Sequence, residues 1–337
     1  MRNFNACLIA ILLAGKILNT FAYLICFMSP VINVKHLSKD FNEIKAVDDL
    51  SFSVPQGKVY GFLGQNGAGK STTIRMLLTL IEPTVGEIEI FGMNLKKHRK
   101  EILRKTGAII EKPDLYKYLT AIENLKMFAV MSGIKISRDK MMKQLEKVGL
   151  AERANSKVKT YSQGMRQRLG IAVALLHEPE LIILDEPMNG LDPQGIADVR
   201  NLIMHLSEDE NKTVFVSSHL LSEMEIIADS MLIIDRGKKI VEGKVPELLN
   251  PQEINVEIEA RDIQSAAEQI QRSGWGKYFS RVGDNRIILK MASDDIPKLI
   301  REISQLNIEL ISVRPKHSLE DYFLSLTGHE HAATIKN

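Results

Sequence analysis

Cysteine is almost missing from this chain of 337 residues: the only two, Cys7 and Cys26, fall within its first thirty positions. The remainder therefore holds neither a disulfide framework nor a cysteine-ligated metal site, which suits a reducing cytosol. A surplus of one sign of charge is missing as well, since 44 Lys and Arg face 42 Asp and Glu for a net charge of +2. The two signs are mixed along the chain, so no basic stripe argues for a nucleic-acid partner. What is left is ordinary globular material, 45% apolar and 26% charged, long enough for about two domains.

Within that material residues 64–72, GQNGAGKST, fit the pattern GxxxxGK[ST] without a mismatch. Lys58-Val59-Tyr60-Gly61-Phe62-Leu63 ahead of them reads as a short buried strand, and Ile74, Leu77, Leu78 and Ile81 behind them recur at helical spacing. Strand, loop, helix is the context that a phosphate-binding loop requires. Gly64, Gly67 and Gly69 let the backbone turn tightly and point consecutive N–H groups inward, an anion nest reinforced by the positive end of the following helix. Lys70 brings a charge to the β- and γ-phosphates, and the Ser71 hydroxyl is a ligand for Mg²⁺. The whole loop, with Gln65, Asn66, Ala68 and Thr72, is the expected nucleotide cradle.

Leu181-Ile182-Ile183-Leu184 fills a fully buried parallel strand, and the chain emerges from it at Asp185 and Glu186, where ligands sit in such sheets. Asp185 lies 121 residues after Gly64 (185 − 64), and an acid ending this strand in a phosphate-loop protein holds Mg²⁺ opposite Ser71. Glu186 is then placed to polarise the attacking water as general base. Residues 213–218 form another buried strand, and His219 at its end is read as a γ-phosphate contact. Residues 107–111 form a strand that ends in Glu111 and breaks at Pro113, and residues 189–193 form a tight loop through Asp192. Ser162 and Gly164 precede a helix expected to begin near Met165, which reads either as a second anion site or as a simple cap. Shorter strands are expected at residues 31–34, 46–54 and 87–91. Phe41, between the first two, taken alone reads as core. A mostly helical section runs from about residue 120 to 176, with Ile122, Leu125, Phe128 and Ala129 on one apolar face and Met142, Leu145 and Val148 on another.

Together these residues resemble the ATP-binding cassette family, specifically the nucleotide-binding subunit of an ABC transporter, over residues 31–249. GQNGAGKST resembles its Walker A loop, LIILDEP its Walker B strand, NGLDP with Asp192 its D-loop, His219 its switch histidine and YSQGMRQR its signature. The resemblance also puts Phe41 where an aromatic stacks on adenine. It implies an α/β fold, a P-loop NTPase cassette with a mostly parallel core sheet, an antiparallel β subdomain and a helical subdomain. It implies ATP and Mg²⁺, and a head-to-tail dimer in which Ser162 and Gly164 of one subunit complete the ATP site of the other. An integral-membrane permease is the implied partner, with the chain peripheral on the cytoplasmic face of the cell membrane. The helical section would carry the groove facing that permease.

Two motifs depart from the family pattern. The usual LSGGQ is YSQGM here, and the glutamine that names the Q-loop is replaced by Glu111. An acid there adds negative charge beside the phosphates, tolerable only near Mg²⁺, so Glu111 is placed with the nucleotide and metal ligands. IIEKPDLYKYLTAIENL and YSQGMRQRLGIA are similar to the exporters of bacitracin resistance and lantibiotic immunity, which implies export of an antimicrobial peptide or drug. The rival readings fit less. A GTPase wants NKxD, and Asn211-Lys212-Thr213-Val214 lacks the aspartate; a chromosome-maintenance ATPase wants a long coiled coil between its Walker motifs; a translation factor wants a second GxxxxGK. A catalytically silent regulatory module is the non-enzyme alternative, opposed by Lys70, Asp185, Glu186 and His219 and kept open by the altered signature.

The ends of the chain read differently. Residues 6–28 are mostly apolar but interrupted by Lys16, Asn19 and Thr20, with no small-residue cleavage site behind them. Residues 1–30 stand either as an over-long start ahead of Met28 or as a membrane contact. After residue 249 the pattern resets to a βαββαβ order, a small α+β (ferredoxin-like) accessory domain over residues 250–328, closed by a capping box at Ser318-Leu319-Glu320-Asp321. Residues 329–337, with His329 and His331, read as a disordered tail.

Overall fold

The computed structural model describes residues 30–249, 254–283, 286–306 and 308–316. The N-terminal extension, residues 284 and 285 of the turn expected at Gly283-Asp284-Asn285, the helix expected after Ser318 and the tail histidines lie outside these residues. The chain divides into two compact units that part between Glu242 and Gly243, a few residues ahead of the change in sequence pattern.

The first unit opens with an antiparallel hairpin, β1 (Ile32–Phe41) and β2 (Ile44–Val54). Ile32, Val34 and Leu37 turn inward, but the polar half of β1 has no alternation to read, and only its bulged pairing with β2 carries the strand on to Phe41. Phe41 is thus the last residue of a strand, and it lies exposed rather than in the core, because it sits on the outer half of β1 beyond the buried positions. Then come β3 (Val59–Leu63), buried at every position, and α1 (Lys70–Leu77). β4 (Val85–Ile90) and β5 (Met93–Asn94) complete a four-stranded sheet in the order β2-β1-β4-β5.

After α2 (Arg99–Arg104) and β6 (Thr106–Ile109), the expected helical stretch is broken into three, α3 (Ala121–Met131), α4 (Arg138–Lys147) and α5 (Gln163–Ala174). In α3, Ile122, Leu125 and Ala129 are buried as their spacing predicts, whereas in α4 the buried methionine is Met141, with Met142 only half-buried. β7 (Leu181–Asp185), α6 (Pro193–Glu208), β8 (Thr213–Ser218), α7 (Leu221–Ile227), β9 (Ser230–Asp235), β10 (Lys238–Lys244) and α8 (Val245–Leu249) follow.

β7, β8 and β3 are apolar along nearly their whole length, which suits a sheet covered on both faces. They lie inside a six-stranded sheet of order β10-β9-β3-β8-β7-β6, in which β9, β3, β8, β7 and β6 pair in parallel. Phe52 of β2 joins the two sheets by stacking against Tyr60, Phe62 and Phe215, with ring centroids 5.9–6.2 Å apart. The Tyr60 hydroxyl donates to Glu242 Oε1 at 2.8 Å; burial, with Glu242 beside it, pushes the phenol well above its ordinary range.

The second unit, which takes in α8, continues with β11 (Ile254–Ala260), α9 (Ile263–Arg272), β12 (Phe279–Gly283), β13 (Arg286–Met291), α10 (Ile296–Ile303) and β14 (Leu310–Lys316). Its antiparallel sheet has the order β12-β13-β11-β14. The strict alternation of β11 buries Ile254, Val256, Ile258 and Ala260 in a core shared with Ile270, Trp275, Leu289 and Leu299. The last strand, expected from Ile308, begins two residues later at Leu310.

Candidate functional site

Register alone brings the expected chemistry to one edge. Leu63 pairs with Ser218 and Asp185 with Ser217 in parallel strands, so Gly64, Glu186 and His219 all leave the sheet at the same end. Ile109 pairs with Leu184, which brings Glu111 out on that end too.

The loop between β3 and α1 is shaped by close approaches. A Cβ on Gly64 would lie 2.5 Å from the Ile234 carbonyl oxygen, and one on Gly69, whose φ is +103°, would lie 2.5 Å from that of Ala46. No side chain caps α1, so its first-turn amides are free to meet an anion. Lys70 is only 6% exposed; its ammonium donates to the carbonyls of Gly64 at 2.6 Å and Gln65 at 3.3 Å and lies 3.2 Å from Glu186 Oε1.

The acids at the end of β7 differ in surroundings. Asp185 is 1% exposed; its Oδ1 accepts from the Ser217 hydroxyl, while its buried Oδ2 has no hydrogen-bond partner among the described residues. A buried acceptor left unpaired costs about 1–3 kcal/mol, more when charged, which marks Oδ2 as an atom with a ligand to find. Glu186 adopts a left-handed backbone with φ of 50°, a strain of about 1–3 kcal/mol for a non-glycine residue. Its amide donates to the Ser217 hydroxyl at 3.0 Å, and its Oε2 lies 2.7 Å from His219 Nδ1. Glu186 therefore links Lys70 on one side to His219 on the other, and Ser217 hydrogen-bonds to both acids.

A cleft of about 1260 Å³ opens beside them, lined by Ser71, Glu111, Gln163, Gln167, Asp185 and Glu186 among others. Glu111 is left-handed like Glu186, with φ of 59°, and its Oε1 accepts from Arg75 Nη2 at 2.7 Å. The negative charge expected to need Mg²⁺ thus has a protein counter-ion, which the sequence reading missed. Ser217 and the buried Gln167, whose amide nitrogen is unpartnered, were missed too. Gln167 falls three residues after Gly164 on the same helix, a weak signal; nothing in the sequence ties Ser217 to Asp185.

The remaining expected residues stand apart from this cleft. Ser162 caps α5, accepting from the Met165 amide at 3.2 Å, so the helix begins at Gln163, two residues earlier than expected. Gly164 lets the starts of α5 and α6 meet, since a Cβ there would lie 3.3 Å from Gly195 Cα. Asp192 caps α6 through the Gly195 amide at 3.2 Å. Tyr161 donates to the Arg153 carbonyl at 2.6 Å, and burial raises its phenol against the opposing pull of the Arg153 cation. Phe41 is 46% exposed with the Lys39 ammonium 5.0 Å above its ring. Ser162, Gly164, Asp192 and Phe41 do not line the cleft, nor do Lys70 and His219, whereas Gln163 beside Ser162 does.

Residues 47–189 match the family described as ABC transporter. The "Bacitracin transport ATP-binding protein BcrA" of Bacillus licheniformis is 43% identical over 313 residues, covering 89% of this chain and 98% of that protein. The "Lantibiotic transport ATP-binding protein SrtF" of Streptococcus pyogenes is 40% identical over 224 residues, 66% of this chain and 95% of that one. A solved structure described as the "Dimeric structure of a post-hydrolysis state of the ATP-binding cassette MJ0796 bound to ADP and Pi" superposes with a TM-score of 0.56 at 27% identity, covering 64% of this chain and 98% of the other.

Proposed function

Because this chain belongs to the ABC transporter family of ATP-binding subunits, whose members bind and hydrolyse ATP to drive a membrane permease, we propose that it powers export of an antimicrobial peptide or drug through a separate permease. The cargo class is supported by relatives named for bacitracin and lantibiotic transport. The observation that carries the site is the convergence, where β3, β7 and β8 end, of a buried cation, an unpartnered carboxylate oxygen and a carboxylate–histidine pair.

In this reading the amides of residues 64–72 cradle the triphosphate, and the Lys70 ammonium turns from the loop carbonyls to the β- and γ-phosphates. The Ser71 hydroxyl and Asp185 Oδ2 are the protein ligands for Mg²⁺; the unpartnered Oδ2 and the hydroxyl lining the same cleft fit a hard cation that takes oxygen ligands. When bound, Mg²⁺ neutralises charge on the phosphate oxygens. Glu186 draws a proton from the attacking water, and His219, hydrogen-bonded to it, orients the carboxylate and meets the γ-phosphate. Glu111 belongs to the rim of the nucleotide site, and Phe41 stacks on adenine.

Ser162, Gly164 and Asp192, absent from the chain's own cleft, serve the nucleotide of a second copy in a head-to-tail dimer. The dimeric cassette among the solved structures supports this arrangement. The chain sits peripherally on the cytoplasmic face of the membrane; among the described residues no helix is long and apolar enough to cross one. Residues 31–249 are the ATPase domain, and the sheet order β12-β13-β11-β14 supports a ferredoxin-like accessory domain over residues 250–328. Lys70→Ala tests the cradle: nucleotide affinity measured by equilibrium titration is expected to fall at least about tenfold, the scale of one lost charge-assisted contact, and unchanged affinity would remove the loop from this role.

A further inference from the structure

Glu111 poses a problem that its surroundings answer. It lines the nucleotide cleft, and a carboxylate there opposes a triphosphate by plain Coulomb repulsion. Its left-handed backbone, φ 59°, fixes the direction in which the side chain leaves the chain after β6. Arg75 Nη2 meets its Oε1 at 2.7 Å. Arg75 lies in the last turn of α1, the helix that contributes Ser71 to the cleft, so the pair ties Glu111 on the cleft wall to the helix that follows the phosphate loop. Both side chains are open to solvent, 42% and 65% exposed, so the pair adds little to stability.

We propose that Arg75 is a positioning residue for nucleotide binding: its guanidinium holds and neutralises the Glu111 carboxylate so that the cleft accepts a triphosphate despite an acid in its wall. Arg75 has no need to touch ATP. Lysine at this place keeps the charge without the planar fork that grips a carboxylate.

The inference rests on the cleft being the nucleotide site, and one set of titrations separates the two. The full-length chain and its Arg75→Ala, Glu111→Gln and doubly substituted forms are titrated with a fluorescent ATP analogue carrying an unmodified triphosphate, with Mg²⁺ and again with EDTA. Arg75→Ala is expected to raise Kd about two- to fivefold, the range for an exposed charge pair. The rise is larger in EDTA, where the nucleotide carries more negative charge, and smaller at high salt. In the Glu111→Gln background the same substitution is expected to change Kd by less than about 1.5-fold, because a neutral amide needs no counter-ion. Arg75→Lys recovers most of the affinity, and urea melts of all forms keep one midpoint. An Arg75→Ala penalty that persists undiminished beside Glu111→Gln overturns the inference, and Arg75→Gln repeats the comparison should the alanine form melt early. Absence of ATP binding by the unsubstituted chain overturns the functional reading and the inference with it, whereas binding without coupling overturns the inference alone.

Discussion

At the scale of single residues, Ser217 links the two acids on which the chemistry depends. Its hydroxyl donates to Asp185 Oδ1 and accepts from the Glu186 amide, so Ser217→Ala leaves two polar groups without that partner. The expected destabilisation is about 1–3 kcal/mol, read from urea melts, together with a loss of turnover larger than the loss of nucleotide affinity. Turnover equal to the unsubstituted chain would show that Glu186 keeps its direction without the serine. The phosphate loop was legible because its chemistry demands adjacent glycines, lysine and serine in unbroken order. Arg75 with Glu111, and Ser217 with Asp185, are meetings of residues 36 and 32 positions apart, and only the parallel register brings the second pair together. The acid at Glu111 was visible in the sequence; its counter-ion was not.

At the scale of elements, α3 shows how local signals set a boundary. Thr120 and Glu123 form a reciprocal capping box, the carboxylate accepting from the Thr120 amide at 2.7 Å and the Thr120 hydroxyl accepting from the Glu123 amide at 3.3 Å. The backbone hydrogen bond from Thr120, then the one from its hydroxyl, hold the Glu123 carboxyl below its ordinary value of 4.5. A folded-state pKa below the unfolded one means that the contribution is complete above about pH 4.5 and fades as the pH falls through the lowered value. Thr120→Ala is expected to cost about 0.5–2 kcal/mol at neutral pH, a difference that shrinks in acid; a penalty independent of pH would contradict the box. Element types were legible where burial imposes a period, as in β11, or an unbroken apolar run, as in β7. Lengths were not: the outer half of β1 is polar and beyond Ser38 is a strand only because β2 pairs with it, and α4 turns Met141 rather than Met142 inward because Met141 lies one helical turn before the buried Leu145 and two before Val148.

At the scale of the whole molecule, the first unit builds a phosphate cradle on one end of a parallel sheet, and caps at Ser162 and Asp192 that stand outside its own cleft. The sequence made the division legible through its motifs, because GQNGAGKST and YSQGM are separate stretches with separate chemistry, while the arrangement of the strands that separate them is a tertiary fact. The most direct test of the central claim, that Glu186 activates water against a triphosphate held by the loop around Lys70, is single-turnover ATP hydrolysis by the full chain carrying Glu186→Gln, with ATP affinity and mass in solution read on the same sample. The account predicts ATP binding at the affinity of the unsubstituted chain, hydrolysis slowed at least about a hundredfold and a dimer that persists with ATP; hydrolysis at the unsubstituted rate would contradict it.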